Sequence, residues 1–172
     1  MITENSESIQ NEVTSAKVLP HSVLRKKAMD LLARREHAVA ELQKKLQTFA
    51  KKKDLDGAIT ADVIDALQSE GLLSDERFTE MFVRYRANNG YGPMRIQTEL
   101  RERGVSEKIQ STFLDFADTL WSKRAVKVRH KRFGSELPED FKERARQARF
   151  LQYRGFTTDQ INRTLAGDDC FE

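Results

Sequence analysis

Glycine and proline are scarce in this chain, with 8 Gly and 3 Pro among 172 residues, about half their usual share. A β-sandwich or barrel needs a turn every few residues, so an all-β fold is excluded. Cysteine occurs once, as Cys170, so no internal disulfide can form and nothing points to an oxidising compartment. No apolar run approaches the ~18 residues of a membrane span, and Glu4, Glu7 and Glu12 occupy the place of a basic-then-apolar leader. The expectation is a cytoplasmic protein without membrane contact. Catalytic signatures are missing as well. There is no Gly-x-x-x-x-Gly-Lys loop, and Gly90-Tyr91-Gly92 lacks the third glycine of a dinucleotide fingerprint. His21, His37 and His130 are scattered, without metal-ligand spacing. Cys170 and the Asp168-Asp169 pair stand near the C-terminus, a poor setting for an activated nucleophile or a paired acid and base. The chain therefore reads as a non-enzyme with no cofactor and no metal.

What is present is helix periodicity. Charged residues make up 33% of the chain and hydrophobic ones 38%, enough for thinly cored helical packing. Residues 1–20 carry no apolar period and read as a disordered tail. After Pro20, Leu24, Ala28, Leu31 and Leu32 share one stripe. Ala38, Leu42, Leu46 and Phe49 form a second, followed by a polar connector from Lys51 to Gly57. Thr60 suits the N-cap of a third helix bearing Val63, Ile64 and Leu67. Gly71 ends it, with Leu72 as the returning apolar contact. Ser74 caps a fourth helix whose expected buried stripe is Phe78, Met81, Phe82 and Tyr85. Pro93 opens a fifth carrying Ile96 and Leu100, and Ser106 caps a sixth carrying Ile109, Phe113, Leu114 and Phe116. Trp121, Ala125 and Val128 mark a seventh, stopped by Gly134. Phe141, Ala145, Ala148 and Leu151 mark an eighth, stopped by Gly155. Thr157 or Thr158 caps a ninth through Ile161 and Leu165.

Internal similarity groups these nine. Glu41-Leu42 matches Glu99-Leu100 at a separation of 58, and Leu100 to Ser106 reappears as Leu151 to Thr157, 51 residues later. In the second match a helix-ending glycine is preceded by a basic residue and followed by an apolar one and a hydroxyl cap. The reading is all-α: an elongated, curved array of three tandem three-helix repeats over residues 21–73, 74–117 and 118–167, with a short tail at 168–172.

Charge is blocked along the chain. Residues 21–53 hold ten basic and three acidic side chains, 54–83 one basic and eight acidic, and 121–154 eleven basic and four acidic. Lys123, Arg124, Lys127, Lys131 and Arg132 lie on one basic helix, the lysines recurring every four residues. Such a stripe suits phosphates or a carboxylate surface, or it pairs with the acidic 54–83 block. A second cluster, Arg84, Arg86, Arg95, Arg101 and Arg103, surrounds the Gly90–Pro93 turn. Being all arginine, it favours bidentate contacts. Tyr91 is either an exposed anchor for a partner or packs onto the helix that Pro93 begins. Arg149 and Arg154 complete the candidate partner- and DNA-binding set.

Four ordered motifs carry a family resemblance. They are Arg35-Glu36-His37 with Glu41-Leu42-x-x-Lys45-Leu46; Gly71-Leu72-Leu73-Ser74-Asp75-Glu76-Arg77-Phe78; Gly90-Tyr91-Gly92-Pro93-x-Arg95-Ile96-x-x-Glu99-Leu100-x-x-Arg103-Gly104-Val105; and Arg132-Phe133-Gly134 with Phe150-Leu151-x-x-Arg154-Gly155-Phe156. The chain resembles the RecX family of bacterial recombinase regulators from about residue 24 to 166. One departure is Ala38, where the family carries a serine able to form a capping box with Glu41, which leaves the start of that helix undefined. The resemblance implies a non-catalytic array that lodges in the groove of the RecA–DNA filament and limits its growth; the chain itself is expected to act as a monomer. It thereby suppresses RecA's ATPase, strand-exchange and co-protease activities. The alternative is an autonomous, non-specific binder of single- or double-stranded DNA.

Overall fold

A computed structural model of the chain describes residues 19–167. The expected tails, Cys170 included, lie outside the described residues except for Leu19 and Pro20. Among those residues there are nine helices and no strand: α1 (Pro20–Leu32), α2 (Val39–Lys52), α3 (Ile59–Ser69), α4 (Asp75–Asn88), α5 (Pro93–Glu102), α6 (Glu107–Phe113), α7 (Leu120–Phe133), α8 (Phe141–Arg154) and α9 (Thr158–Ala166). The principal helix contacts fall within α1–α3, within α4–α6 and within α7–α9, which makes the molecule an array of three-helix units. None of the described helices is long and apolar enough to cross a membrane, and no cluster of three metal-ligating side chains occurs among the described residues.

The apolar residues do not divide equally among the units. Leu24, Leu42, Leu46, Val63, Leu67 and Leu73 make a separate core for the first. Phe78, Ile96, Leu100, Trp121, Leu151, Phe156 and Leu165 make one continuous core shared by the second and third. Burying side chains of this size stabilises each core by roughly 1.5–3 kcal/mol apiece.

The repeat is clearest where the second helix of each unit ends. The amides of Leu55, Val105 and Phe156 donate to the carbonyls of Ala50, Leu100 and Leu151, at 3.0, 3.2 and 3.2 Å. The residue before each of these donors has positive φ: Asp54 (53°), Gly104 (78°) and Gly155 (91°). The three turns are therefore equivalent Schellman-type caps, with an aspartate standing where the other units have glycine. This register sets Ala50 against Leu100. It upholds the separation of 51 and overturns the separation of 58, which paired Glu41-Leu42 at the start of α2 with Glu99-Leu100 near the end of α5.

Several local expectations are corrected. Helix α3 starts at Ile59, and Asp56 caps its approach by accepting from the Ala58 amide at 2.9 Å. Thr60 lies inside the first turn, its hydroxyl buried without a hydrogen-bond partner. Leu73, not Leu72, is the buried contact beyond Gly71. Met81, Tyr85 and Phe141 face solvent, Phe141 at 87% exposure. Each sits at the edge of a stripe whose centre, such as Phe78 and Ala87 in α4, already fills the core. The start of α2 is capped from another unit: the Val39 amide donates to Asp75 Oδ1 at 2.9 Å. Burial raises the Asp75 carboxyl pKa above its ordinary value, against the Val39 hydrogen bond, which lowers it.

Candidate partner-binding groove

The second and third units meet through backbone. The Gly92 amide donates to the Arg154 carbonyl at 2.8 Å, and the Met94 amide to the Gly155 carbonyl at 2.9 Å. A Cβ on Gly92 would sit 2.4 Å from the Gly155 carbonyl, and one on Gly155 would sit 2.4 Å from Arg95 Cβ. Only two glycines allow this approach, which is the physical content of the Gly-Tyr-Gly-Pro and Arg-Gly-Phe motifs.

Tyr91 fills the resulting seam rather than standing free as an anchor. It packs against the shared core, with the guanidinium carbons of Arg86, Arg95 and Arg154 at 3.7, 4.9 and 5.2 Å from its ring centroid. Cation–π attraction to the ring, together with Glu99, holds three like charges in one place. Glu99 is ion-paired with Arg86 and with Arg95 Nε (3.2 Å). Hydrogen bonding to Tyr153 and then to Glu99 raises the Arg95 pKa further, so its charge is permanent. Arg103 lies over Phe82 at 4.7 Å and donates to the Glu99 carbonyl at 2.8 Å. Arg86, Arg95 and Arg103 are thus held by internal partners, and much of the arginine cluster is architectural.

Beside the seam lies an open groove of about 600 Å³. One wall is α7, contributing Arg124, Lys127, Val128, Lys131 and Arg132. The other is the end of α4 and the turn that follows it, Asn88–Gly90, with Phe150 and Arg154 of α8 at the end. The turn closes on α7 because Gly90, at φ 78°, leaves room for Val128, whose Cγ2 would lie 2.9 Å from an added Cβ. Arg154 bridges seam and groove by donating to the Asn89 carbonyl at 3.3 Å. No carboxylate lines the groove among the described residues, and no ion pair joins Arg124, Lys127, Lys131 or Arg132 to the acidic 54–83 block. Arg124 leans over Trp121 at 4.9 Å and Arg132 over Phe133 at 6.0 Å. Five cations in one concavity create a strongly positive field, suited to phosphodiester or carboxylate groups.

Of the expected site residues, the structure gathers Arg124, Lys127, Lys131, Arg132 and Arg154. Lys123 is exposed but does not line the groove. At about 100° per residue, Arg124, Lys127 and Lys131 fall within about 60° of one another, with Lys123 about 40° beyond one edge of that arc and Arg132 about 80° beyond the other. Arg84 pairs with Glu80 at 2.9 Å, Arg101 approaches Glu107 at 3.9 Å, and Arg149 is exposed on the outer face of α8. The sequence reading missed the turn residues Asn88 and Asn89, which come near α7 only through tertiary packing. It also overlooked Arg129, which belongs to the basic helix yet is 1% exposed. Arg129 donates to Gln147 Oε1 at 3.0 Å and to the Ser135 and Glu136 carbonyls. Its spacing from Trp121 and Ala125, four residues each time, was the available signal that it faces inward.

Residues 74–113 match the family description "RecX, second three-helix domain", and residues 122–165 match "RecX, third three-helix domain". The regulatory protein RecX of Pseudomonas syringae pv. tomato is 45% identical over 144 residues, covering 84% of this chain and 90% of that protein. The regulatory protein RecX of Halorhodospira halophila is 44% identical over 146 residues, covering 85% and 88%. Among solved structures, the crystal structure of RecX from Lactobacillus salivarius superposes with a TM-score of 0.72 at 20% identity, over 88% of this chain and 98% of that one. A second crystal structure of regulatory protein RecX superposes with a TM-score of 0.70 at 19% identity, over 86% and 72%.

Proposed function

The chain belongs to the RecX family of regulatory proteins, and on that premise we propose that it is a non-catalytic negative regulator of RecA. In this reading it acts in the cytoplasm as a monomer, lodges in the helical groove of the RecA–DNA filament and limits filament growth. ATPase, strand-exchange and co-protease activities fall as a consequence. The observation that carries the reading is the groove of Arg124, Lys127, Lys131, Arg132 and Arg154, which no carboxylate lines among the described residues. Its ligand must be anionic, and a nucleoprotein filament supplies both acidic side chains and phosphates. Reversing Arg124, Lys127 and Lys131 to Glu replaces three attractions with three repulsions. Inhibition of RecA's DNA-dependent ATPase is expected to weaken at least tenfold in concentration, roughly 0.5 kcal/mol or more per site. Unchanged inhibition removes this groove from the contact.

The same absence of carboxylates favours a direct phosphate contact as a second reading. If the groove binds DNA by itself, affinity falls by orders of magnitude between about 50 and 200 mM salt through counterion release. DNA binding with that slope, alongside unaltered RecA turnover, would replace the first reading with the second.

A further inference from the structure

The first unit carries a second basic concavity, separate from the seam and the groove. It is a cleft of about 540 Å³ between α1 and α2. Leu31 and Phe49 form its floor, Lys27, Lys44 and Lys52 its rim, and Thr48 stands between the last two. We propose that this cleft docks an acidic protein segment that carries an apolar anchor, by setting its carboxylates against Lys27, Lys44 and Lys52 and its anchor against Leu31 and Phe49. The surface is independent of the RecA reading.

Three observations favour that occupant. Leu31 and Phe49 lie on the core-facing stripes of their helices but stay only partly buried, packed against the edge of the first core. They therefore offer apolar area that a partner can cover. The cleft's own carboxylate is already committed: Glu41 is ion-paired with Lys45 at 2.9 Å and with Arg35. No carboxylate pairs with Lys27, Lys44 or Lys52 among the described residues. Positive charge in excess beside an apolar floor is complementary to an acidic amphipathic segment, the helix-in-groove mode of recognition.

The third observation separates protein from nucleic acid. Lys27 Nζ sits 5.5 Å over the Phe49 ring, so that ring face is covered and gives no platform for a stacked base. An aliphatic side chain needs only Leu31 and the ring edge. Lys44 and Lys52 stand two turns apart on α2, about 12 Å along its axis. A ligand helix with carboxylates every four residues matches that repeat.

The test uses the full chain and a fluorescein-labelled peptide of about 20 residues, made of Glu, Leu and Ala with Glu at every fourth position. A matched peptide with Lys for Glu and an oligothymidine of about 20 nucleotides complete the probes. Anisotropy gives affinity, and amide resonances of Thr48 and Phe49 report the place. The Glu peptide is expected to shift both resonances and to weaken about tenfold in the Lys44→Glu/Lys52→Glu variant. Lys44→Ala/Lys52→Ala should give an intermediate loss, both read from the Thr48 and Phe49 resonances so that peptide held in the basic groove beside α7 does not count. Lys44 and Lys52 are exposed, so the melting temperature should fall by no more than a few degrees, the cost of losing the favourable charge of Lys52 in the last turn of α2. Failure of millimolar Glu peptide to move Thr48 or Phe49 overturns the proposal. So does equal binding of the Lys peptide, or an oligothymidine affinity that depends on Lys44 and Lys52 while peptide affinity does not.

Discussion

Gly92→Ala isolates the contact that joins the second and third units. Gly92 has φ −86° and ψ 169°, ordinary extended backbone that alanine adopts freely, so no dihedral penalty enters. The entire effect comes from one methyl group. Its carbon would lie 2.4 Å from the Gly155 carbonyl carbon and oxygen and 2.5 Å from the Phe156 nitrogen. These are backbone atoms that cannot rotate away. Restoring van der Waals distance moves the chains apart by about 1 Å, which strains the hydrogen bonds from Gly92 to Arg154 and from Met94 to Gly155. Weakening two backbone hydrogen bonds costs about 1–2 kcal/mol, and overpacking adds about 1–3. The expected loss is about 2–5 kcal/mol, a fall in Tm on the order of 10 °C for a chain of this size. Denaturant melts followed by helix signal measure it, and amide exchange at Gly92 and Met94 shows whether the seam opens. Because Arg154 lies on both seam and groove, RecA inhibition should weaken as well. Gly57→Ala is the control, since nothing lies within 4 Å of its added Cβ. A Gly92→Ala protein within about 0.5 kcal/mol of the parent would refute the reasoning.

Other consequences are equally direct. Asp54 occupies the left-handed cap position that Gly104 and Gly155 fill in the other units, so Asp54→Gly should stabilise the chain by about 0.5 kcal/mol in urea melts. Arg129→Met leaves Gln147 and two backbone carbonyls without their donor, at a cost of about 2–4 kcal/mol. Arg129→Lys should recover little of that, because an ammonium lacks the guanidinium fork. Glu41 is pushed up by burial, but hydrogen bonds and charge from Arg35 and Lys45 outweigh this and bring its pKa down to about 2. Its folded value lies below the unfolded one, near 4.5, so its stabilisation is complete above that pH and is lost as pH falls toward about 2. The full amount is at most about 3 kcal/mol, and the Glu41→Gln protein should lose this limb of its acid-denaturation profile. His37 acts in the same direction at higher pH: burial lowers its pKa, so its neutral form stabilises the fold above about 6.5 and that share is lost on acidification.

Much of the fold is legible residue by residue. Ser74, Ser106 and Thr157 accept from the Arg77, Ile109 and Gln160 amides as their positions before apolar runs suggest. Gly71, Gly104, Gly134 and Gly155 all take positive φ at helix ends. Caps and stops act within four residues, so local sequence contains both partners of each interaction. The start of α2 was undefined for the opposite reason, since its cap, Asp75, lies 36 residues away. The acidic 54–83 block was one of two partners open to the basic helix. The structure packs α7 against α8 and α9 and leaves the groove cations without a carboxylate partner among the described residues.

Composition and periodicity by themselves settled that this chain is helical, and its motifs identified the RecX family. These properties depend on spacing along the chain, which sequence records directly. Which arginines are available to a partner was settled by tertiary packing alone. Arg86 and Arg129 carry the same charge as Arg124 and Arg132, but Arg86 is paired with Glu99 of α5 and Arg129 is enclosed against Gln147 of α8, partners brought in from other helices. Charge is a property of a residue; exposure and unmatched charge are properties of its neighbours, and those neighbours are brought together only when helices distant along the chain pack against one another.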